Sequence, residues 1–289
     1  MDFGGTKILT GAMTEEGQVL CEPARVPTGG TDDSKSIIGR LTESVDRVLV
    51  KLGIKASDVT GIGLGVTGPL DCATGTILEC PQLPTLHFFL LKKTVQELYR
   101  RPVYMNNDAN CLIYGEALFG SGIGKDNVVG FTLGTGLGCA IVLNRKIFMG
   151  STESAGELWP SPYEGGTIED LVSGAGVSKI YKGISGRDKS SLEIAQLAEK
   201  GDADALATWD EFGKHLSVAI SWAINMIDPG IVILGGSITN AYKFFASSME
   251  KNLRKHICPV PAEKTKVVCA KLGPNAGFIG AASLAIPHE

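Results

Sequence analysis

Three amides and one carboxylate stand together at Asn106, Asn107, Asp108 and Asn110, directly after the apolar run Val103 to Met105. Apolar residues follow at Leu112, Ile113 and Ala117, so the stretch reads as a buried strand, a polar junction and a helix. In open α/β sheets, ligands bind at the carboxyl ends of strands. An aspartate has an ordinary pKa of about 3.9 and is ionised at neutral pH. Asp108 can therefore orient a substrate hydroxyl and finally accept its proton, with Asn107 and Asn110 positioning hydroxyls around it. The competing reading is a plain N-cap, because Asp and Asn both favour helix starts.

Two glycine turns carry a second kind of chemistry. Asp2-Phe3-Gly4-Gly5-Thr6-Lys7 and Thr132-Leu133-Gly134-Thr135-Gly136 each place a Gly/Thr turn between two hairpin strands. Without side chains in the way, backbone N–H groups there can approach an anion. The repeat implies two related halves, each offering a cradle for phosphate; ordinary hairpins with glycine turns are the alternative. With Asp108 between them, the pair favours a cleft gripping a polyphosphate from both sides. A third loop, Gly235-Gly236-Ser237, follows the apolar run Ile231 to Leu234 and suits a nucleotide's ribose or phosphate. Thr67-Gly68-Pro69 closes the strand from Gly61 to Val66 in the same manner.

The elements that position these residues follow from periodicity and punctuation. A capped helix spans 32–52, another runs from about 90 to 100, and a third leads from Asn110 to Phe119. Strand, helix, strand order implies a right-handed crossover and a largely parallel sheet, beside an opening hairpin whose return strand begins at Val19-Leu20. Gly120 to Gly124 reads as a hinge between domains. Strands at 128–133 and 139–143 and a loop at 150–167 come next. Helices are expected at 168–181, 192–200, 203–227 and 241–256, then a strand at 265–270 and a last helix at 276–285. The four histidines, His87, His215, His256 and His288, show no ligand spacing and read as structural or solvated.

Composition bounds the function class. A chain of 289 residues fits two domains, and 44% hydrophobic with 20% charged residues is globular. A net charge of −4 without a basic cluster argues against nucleic acid as a partner. Seven scattered cysteines without C-x-x-C spacing read as reduced thiols, and no apolar run reaches membrane-spanning length. The expectation is a soluble cytoplasmic protein with no membrane partner.

Several segments, taken in order, resemble the ROK family of sugar kinases, repressors and open reading frames, within the sugar kinase, Hsp70 and actin superfold. They are Asp2 to Lys7, Gly65 to Pro69, Asn107 to Asn110 with Gly115-Glu116, Gly134 to Gly138, Asp228-Pro229 with Leu234 to Gly236, and Gly277 to Ala282. The resemblance implies an α/β chain of two ribonuclease-H-like (actin-like ATPase) domains around a central cleft. It divides the chain into a small domain at 1–119, completed by a C-terminal helix at 276–289, and a larger one at 120–275. The activity implied is transfer of the γ-phosphate of ATP, with Mg²⁺, to a hexose hydroxyl. By the same resemblance Asp108 is the catalytic base, and Gly68, Asn107, Glu157 and Glu169 join it in contacting the sugar. Asp2, Gly4, Gly5, Thr6 and Lys7, with Gly134, Thr135 and Gly136, hold phosphates, and Gly235 and Gly236 serve the adenosine side. A homodimer is also implied.

Two departures from the family pattern matter. Gly156-Glu157 runs into Leu158-Trp159-Pro160, with neither His nor Cys before Ile168, where relatives hold a structural zinc. Zinc needs about four N or S ligands, so no structural zinc is expected. Trp159 or Tyr163 packing on the sugar face is the expectation for the altered loop, with plain packing as the alternative. Family members also carry several apolar residues ahead of the first glycine motif, where this sequence has Met1 alone, so a shortened first strand is expected. A sugar-binding regulator with weak or no kinase activity is the second function class. Repressor relatives carry a helix-turn-helix ahead of the kinase-like body, and no such segment is expected here.

Overall fold

The computed structural model describes residues 1–287, so His288 lies outside the described residues. The chain divides into two compact units, Met1–Ile123 with the segment from Lys271 onward, and Gly124–Ala270.

The first unit opens with β1 (Asp2–Phe3), β2 (Lys7–Thr10) and β3 (Ala24–Pro27), an antiparallel set. The expected return strand at Val19 is only a bridge to Met13, because Gly17 turns the chain back at φ 85. The true return strand starts after Pro23. Helix α1 (Ser34–Leu52) is capped by Asp33, whose side chain accepts the Ser36 N–H, and ends at Gly53 in the left-handed conformation. It buries Ile37, Leu41, Val45 and Val48, which recur at helical spacing. Strand β4 (Ile62–Val66), a small hairpin of β5 (Leu70–Asp71) and β6 (Thr76–Ile77), helix α2 (Leu91–Tyr99), β7 (Val103–Asn107) and α3 (Asp108–Phe119) follow. The sheet order is β3-β2-β1-β4-β7, with β1, β4 and β7 parallel.

Alternation along β4 sorts its two faces. Leu64 and Val66 point into the core shared with Ile37 and Leu41. Gly63 and Gly65 face the other way, towards Ala281 and Cys111. Added side chains would collide there, so these glycines let helices approach the sheet at backbone distance.

The second unit holds β8 (Val128–Leu133), β9 (Leu137–Leu143) and β10 (Lys146–Ile147), then a small hairpin of β11 (Pro162–Tyr163) and β12 (Gly166–Thr167). Helices α4 (Gly174–Ser185), α5 (Ser191–Glu199) and α6 (Ala203–Ile227) lead to β13 (Ile231–Gly235). Helices α7 (Tyr242–His256) and α8 (Pro259–Lys264) and strand β14 (Val267–Cys269) complete it. The order is β10-β9-β8-β13-β14, with β8, β13 and β14 parallel. Trp209, Phe212 and Phe245 lock α6 to α7 through ring contacts of 5.2 to 5.9 Å. Helix α9 (Ala276–Ser283) returns to the first unit.

One element starts later than expected. Helix α4 begins at Gly174, not near 168, because Ser173 caps it and Asp170 holds the preceding turn by accepting the Thr167 N–H at 2.8 Å. Among the described residues, no helix is long and apolar enough to cross a membrane.

Candidate active site

Parallel strands align their carboxyl ends, and in the first unit this brings three sequence motifs to one sheet edge. Phe3 pairs with Val66, and Val66 with Asn107. The next residues in each strand's direction are Gly4, Thr67 and Asp108, the starts of the three loops. Gly68 lies so close to Asn107 that a Cβ there would stand 3.2 Å from Asn107 Nδ2. The Gly68–Pro69 peptide is cis.

Asn107, not Asp108, is the N-cap of α3, with its Oδ1 accepting the Ala109 N–H at 2.9 Å. Asp108 is the first helical residue, half-buried, and its Oδ1 shares that N–H at 2.8 Å. The capping job therefore belongs to the neighbour. Asn110 is buried, and its Nδ2 donates to Asn106 Oδ1 at 2.9 Å, while Asn106 Oδ1 also accepts the Asn107 N–H. That network props the junction from below. Burial pushes the Cys80 thiol pKa up, and the charge of Asp108 adds to it. Burial likewise pushes up Cys111, opposed by the N-terminal ammonium and reinforced by Asp108 and Asp2.

The turn Gly4-Gly5-Thr6 is closed by the Gly4 N–H donating to Lys7 O at 3.0 Å. Thr28 braces it, with Oγ1 donating to Gly4 O at 2.6 Å and its N–H to Thr6 O at 3.0 Å. Cβ atoms added at Gly5 or Gly30 would run into Gln82. Thr28, Gly30 and Gln82 were not anticipated, although Thr28-Gly29-Gly30 after Val26 is itself a glycine loop after an apolar residue. Asp2 lies beside Gly277, where a Cβ would approach its Cγ to 3.0 Å. Burial raises its pKa, and the nearby Lys7 ammonium opposes that rise.

In the second unit the turn Gly134-Thr135-Gly136 joins β8 to β9, and the Gly134 N–H donates to Gly136 O at 3.1 Å. The start of α4 is tied to it, because the Gly174 N–H donates to Gly134 O at 2.8 Å. Glu169 lies against the same turn, its Oε2 accepting the Leu137 N–H at 2.8 Å. A Cβ at Gly136 would come within 2.6 Å of that oxygen. Gly235 ends β13, paired with Thr132, so both glycine loops occupy one sheet edge. Gly236 follows at φ 88, and any Cβ there would overlap the Leu133 carbonyl oxygen.

The ROK family profile matches residues 1–288. The chain belongs to the ROK family. An N-acetyl-D-glucosamine kinase of Aliivibrio salmonicida is 30% identical, covering 99% of this chain and 98% of its own length. A glucokinase of Halalkalibacterium halodurans is 28% identical over 100% of this chain and 94% of its own. Among solved structures, a ROK hexokinase from Thermus thermophilus superposes with a TM-score of 0.83 at 26% identity, covering 98% of this chain and 95% of that one. A ROK glucokinase from Streptomyces griseus, solved with glucose and AMPPNP, gives 0.81 at 25%, covering 98% and 97%.

In this ROK member the altered loop is stitched by its own side chains. Trp159 is 44% exposed, and its Nε1 donates to Glu157 Oε2 at 2.7 Å. Tyr163 turns instead into the packing of its unit, its hydroxyl 3.0 Å from His215 Nδ1 and its ring edge-on to Trp222. Burial depresses the His215 pKa. His87 Nε2 sits 2.9 Å from the Cys80 carbonyl oxygen, and His256 lies in the last turn of α7. Among the described residues, no group of three or more His, Cys, Asp or Glu side chains could hold a metal ion.

Proposed function

We propose that this chain is a sugar kinase that transfers the γ-phosphate of ATP to a hexose hydroxyl, with Asp108 as base. The carrying observation is the carboxylate of Asp108 at the sheet edge that also bears Gly4 to Thr6 and Gly68, while Asn107 takes over the helix cap. Its kinship with N-acetylglucosamine kinase and glucokinase supports the reaction class.

Phosphoryl transfer asks the protein chiefly for positioning and charge stabilisation. Asp108 orients the attacking hydroxyl and takes its proton as the O–P bond forms, while ADP leaves with the electron pair of the bond that breaks. Gly68, Asn107, Glu157 and Glu169 are the sugar contacts of this reading. Asp2, Gly4, Gly5, Thr6 and Lys7, with Gly134, Thr135 and Gly136, are the phosphate contacts of this reading. Gly235 and Gly236 take the adenosine side of this reading. Magnesium belongs to the substrate as Mg·ATP. It needs one or two carboxylates beside phosphate oxygens and water, and Asp2, in the motif of the first cradle, is the candidate for that contact. A cytoplasmic homodimer completes the proposal.

Two expectations follow for the altered loop. Trp159 is the exposed ring beside Glu157, so Trp159→Ala raises the sugar KM about tenfold, the equivalent of ~1.4 kcal/mol. Tyr163→Ala chiefly lowers the melting temperature, because its partners are His215 and Trp222. Unchanged sugar KM in the double variant contradicts any sugar contact by this loop's aromatics. Metal analysis of purified protein is expected to find substoichiometric zinc, since residues 150–167 contain no His or Cys. One zinc per chain overturns that. The reaction itself is tested by ADP release over a panel of glucose, mannose, fructose, allose and the acetylated hexosamines. Sugar-dependent release with at least one hexose is expected, and none with any hexose refutes the proposal.

A further inference from the structure

Glu116 is a charged-type side chain with no solvent exposure, and the catalytic reading gives it no task. Its carboxylate collects backbone N–H groups from two distant places. Oε1 accepts from Lys271 at 2.8 Å and Leu272 at 2.6 Å, and Oε2 accepts from Ser121 at 2.9 Å. Its carbonyl oxygen accepts two more, from Gly120 at 3.1 Å and Gly122 at 2.9 Å. The outgoing segment is wound around it without slack. A Cβ at Gly120 would overlap Oε2, and one at Gly122 would stand 2.7 Å from Ala117 Cα.

These donors are not scattered over the fold. The chain passes from the first unit to the second after Ile123 and comes back at Lys271. Ser121 lies two residues before the first crossing, and Lys271 is the first residue after the second. One buried carboxylate therefore ties the exit to the re-entry, with Lys271 lying 155 residues beyond Glu116 in sequence. Removing a buried charge-assisted acceptor leaves its N–H partners unpaired in a dry site, which is why such a knot holds tightly.

We propose that Glu116 is a positioning residue for phosphoryl transfer: it clamps the two interunit crossings to one point, so that they bend as a single pivot when substrates bind. The inference rests on the kinase reading, because phosphoryl transfer needs conformational closure to exclude water. Glu116 touches no substrate in this account and acts through the backbone it holds.

Glu116→Gln is the test, because it keeps the shape and replaces one accepting oxygen with an NH₂ group that cannot accept an N–H. Whichever way the amide turns, one crossing is released. Hydrogen exchange in the full-length protein reads the clamp directly at the amides of Ser121, Lys271 and Leu272. Expected are at least tenfold faster exchange at one of the two segments and a kcat about tenfold lower. Sugar and ATP dissociation constants should stay within about threefold of wild type. If E116Q proves insoluble, Gly120→Ala takes its place, since its methyl displaces Oε2. Unchanged exchange at all three amides overturns the clamp. Faster exchange with unchanged kcat in the folded variant makes Glu116 merely structural and overturns the positioning role. A wild type that phosphorylates no hexose defeats the kinase reading instead, and the exchange arm still reports on the clamp by itself.

Discussion

Asp108→Asn is expected to lower kcat by about 10³-fold and to leave both KM values within about threefold, as removal of a general base does. Asparagine keeps the size of the side chain and an Oδ1 that accepts the Ala109 N–H. It lacks the negative charge, the second accepting oxygen and the capacity to take a proton. Asparagine also serves a helix start as well as aspartate does, so a residue present only to begin α3 would tolerate the change. The helix has its cap in Asn107 in any case, so the melting temperature should move by no more than about 2 °C. Steady-state rates at saturating sugar and ATP read this directly. A kcat within tenfold of wild type contradicts the base assignment.

The second large effect concerns the platform beneath that residue. Helix α3 begins at Asp108 and packs against α9 through two glycines. A Cβ at Gly280 would overlap the Cys111 carbonyl oxygen, and one at Gly115 would stand 2.7 Å from Ala276 O. Both obstacles are backbone, so no rotamer change can relieve them and the helices must part. Overpacking of this kind costs about 3 kcal/mol or more, so Gly280→Ala should melt about 10 °C below wild type. Gly39 in α1 gives the control, because nothing lies within 4 Å of a Cβ there. Gly39→Ala removes a helix penalty of roughly 1 kcal/mol and should raise the melting temperature slightly. Calorimetry on both variants decides the matter. A Gly280→Ala melt within 2 °C of wild type, on the scale of ~1 kcal/mol, refutes the backbone-contact account.

Local chemistry made much of this legible from sequence. Asp33 before α1, Gly53 after it, and the apolar positions between them specify that helix without tertiary help. The run Val103 to Met105 with its amide-rich end gave the strand-to-helix junction, and the glycine turn after Leu133 gave a hairpin paired as expected. What stayed hidden depends on partners far away or on competing local bonds. The segment from Ile168 to Val172 has helical composition, but Asp170 folds back onto Thr167 and Glu169 reaches for Leu137, so the helix waits for Ser173. Val19 has strand propensity, yet Gly17 and Pro23 deny it a ladder and pass the role to Ala24–Pro27. Asn107 and Asp108 were indistinguishable as caps until backbone angles separated them. Glu116 sat within a recognisable Gly-Glu pair, but no spacing rule announces donors at Lys271 and Leu272. Gln82 likewise meets Gly5 and Gly30 only because the sheet brings their loops together.

The most direct test is to identify the product. The purified protein is incubated with γ-labelled ATP, magnesium and the single hexose that drives ADP release best, and the sugar is analysed by mass spectrometry. One labelled phosphate on the hexose is expected for each ADP formed, and no labelled sugar above background from Asp108→Asn over the same time. ADP released without a phosphorylated sugar, or a labelled sugar made equally well by Asp108→Asn, would contradict it.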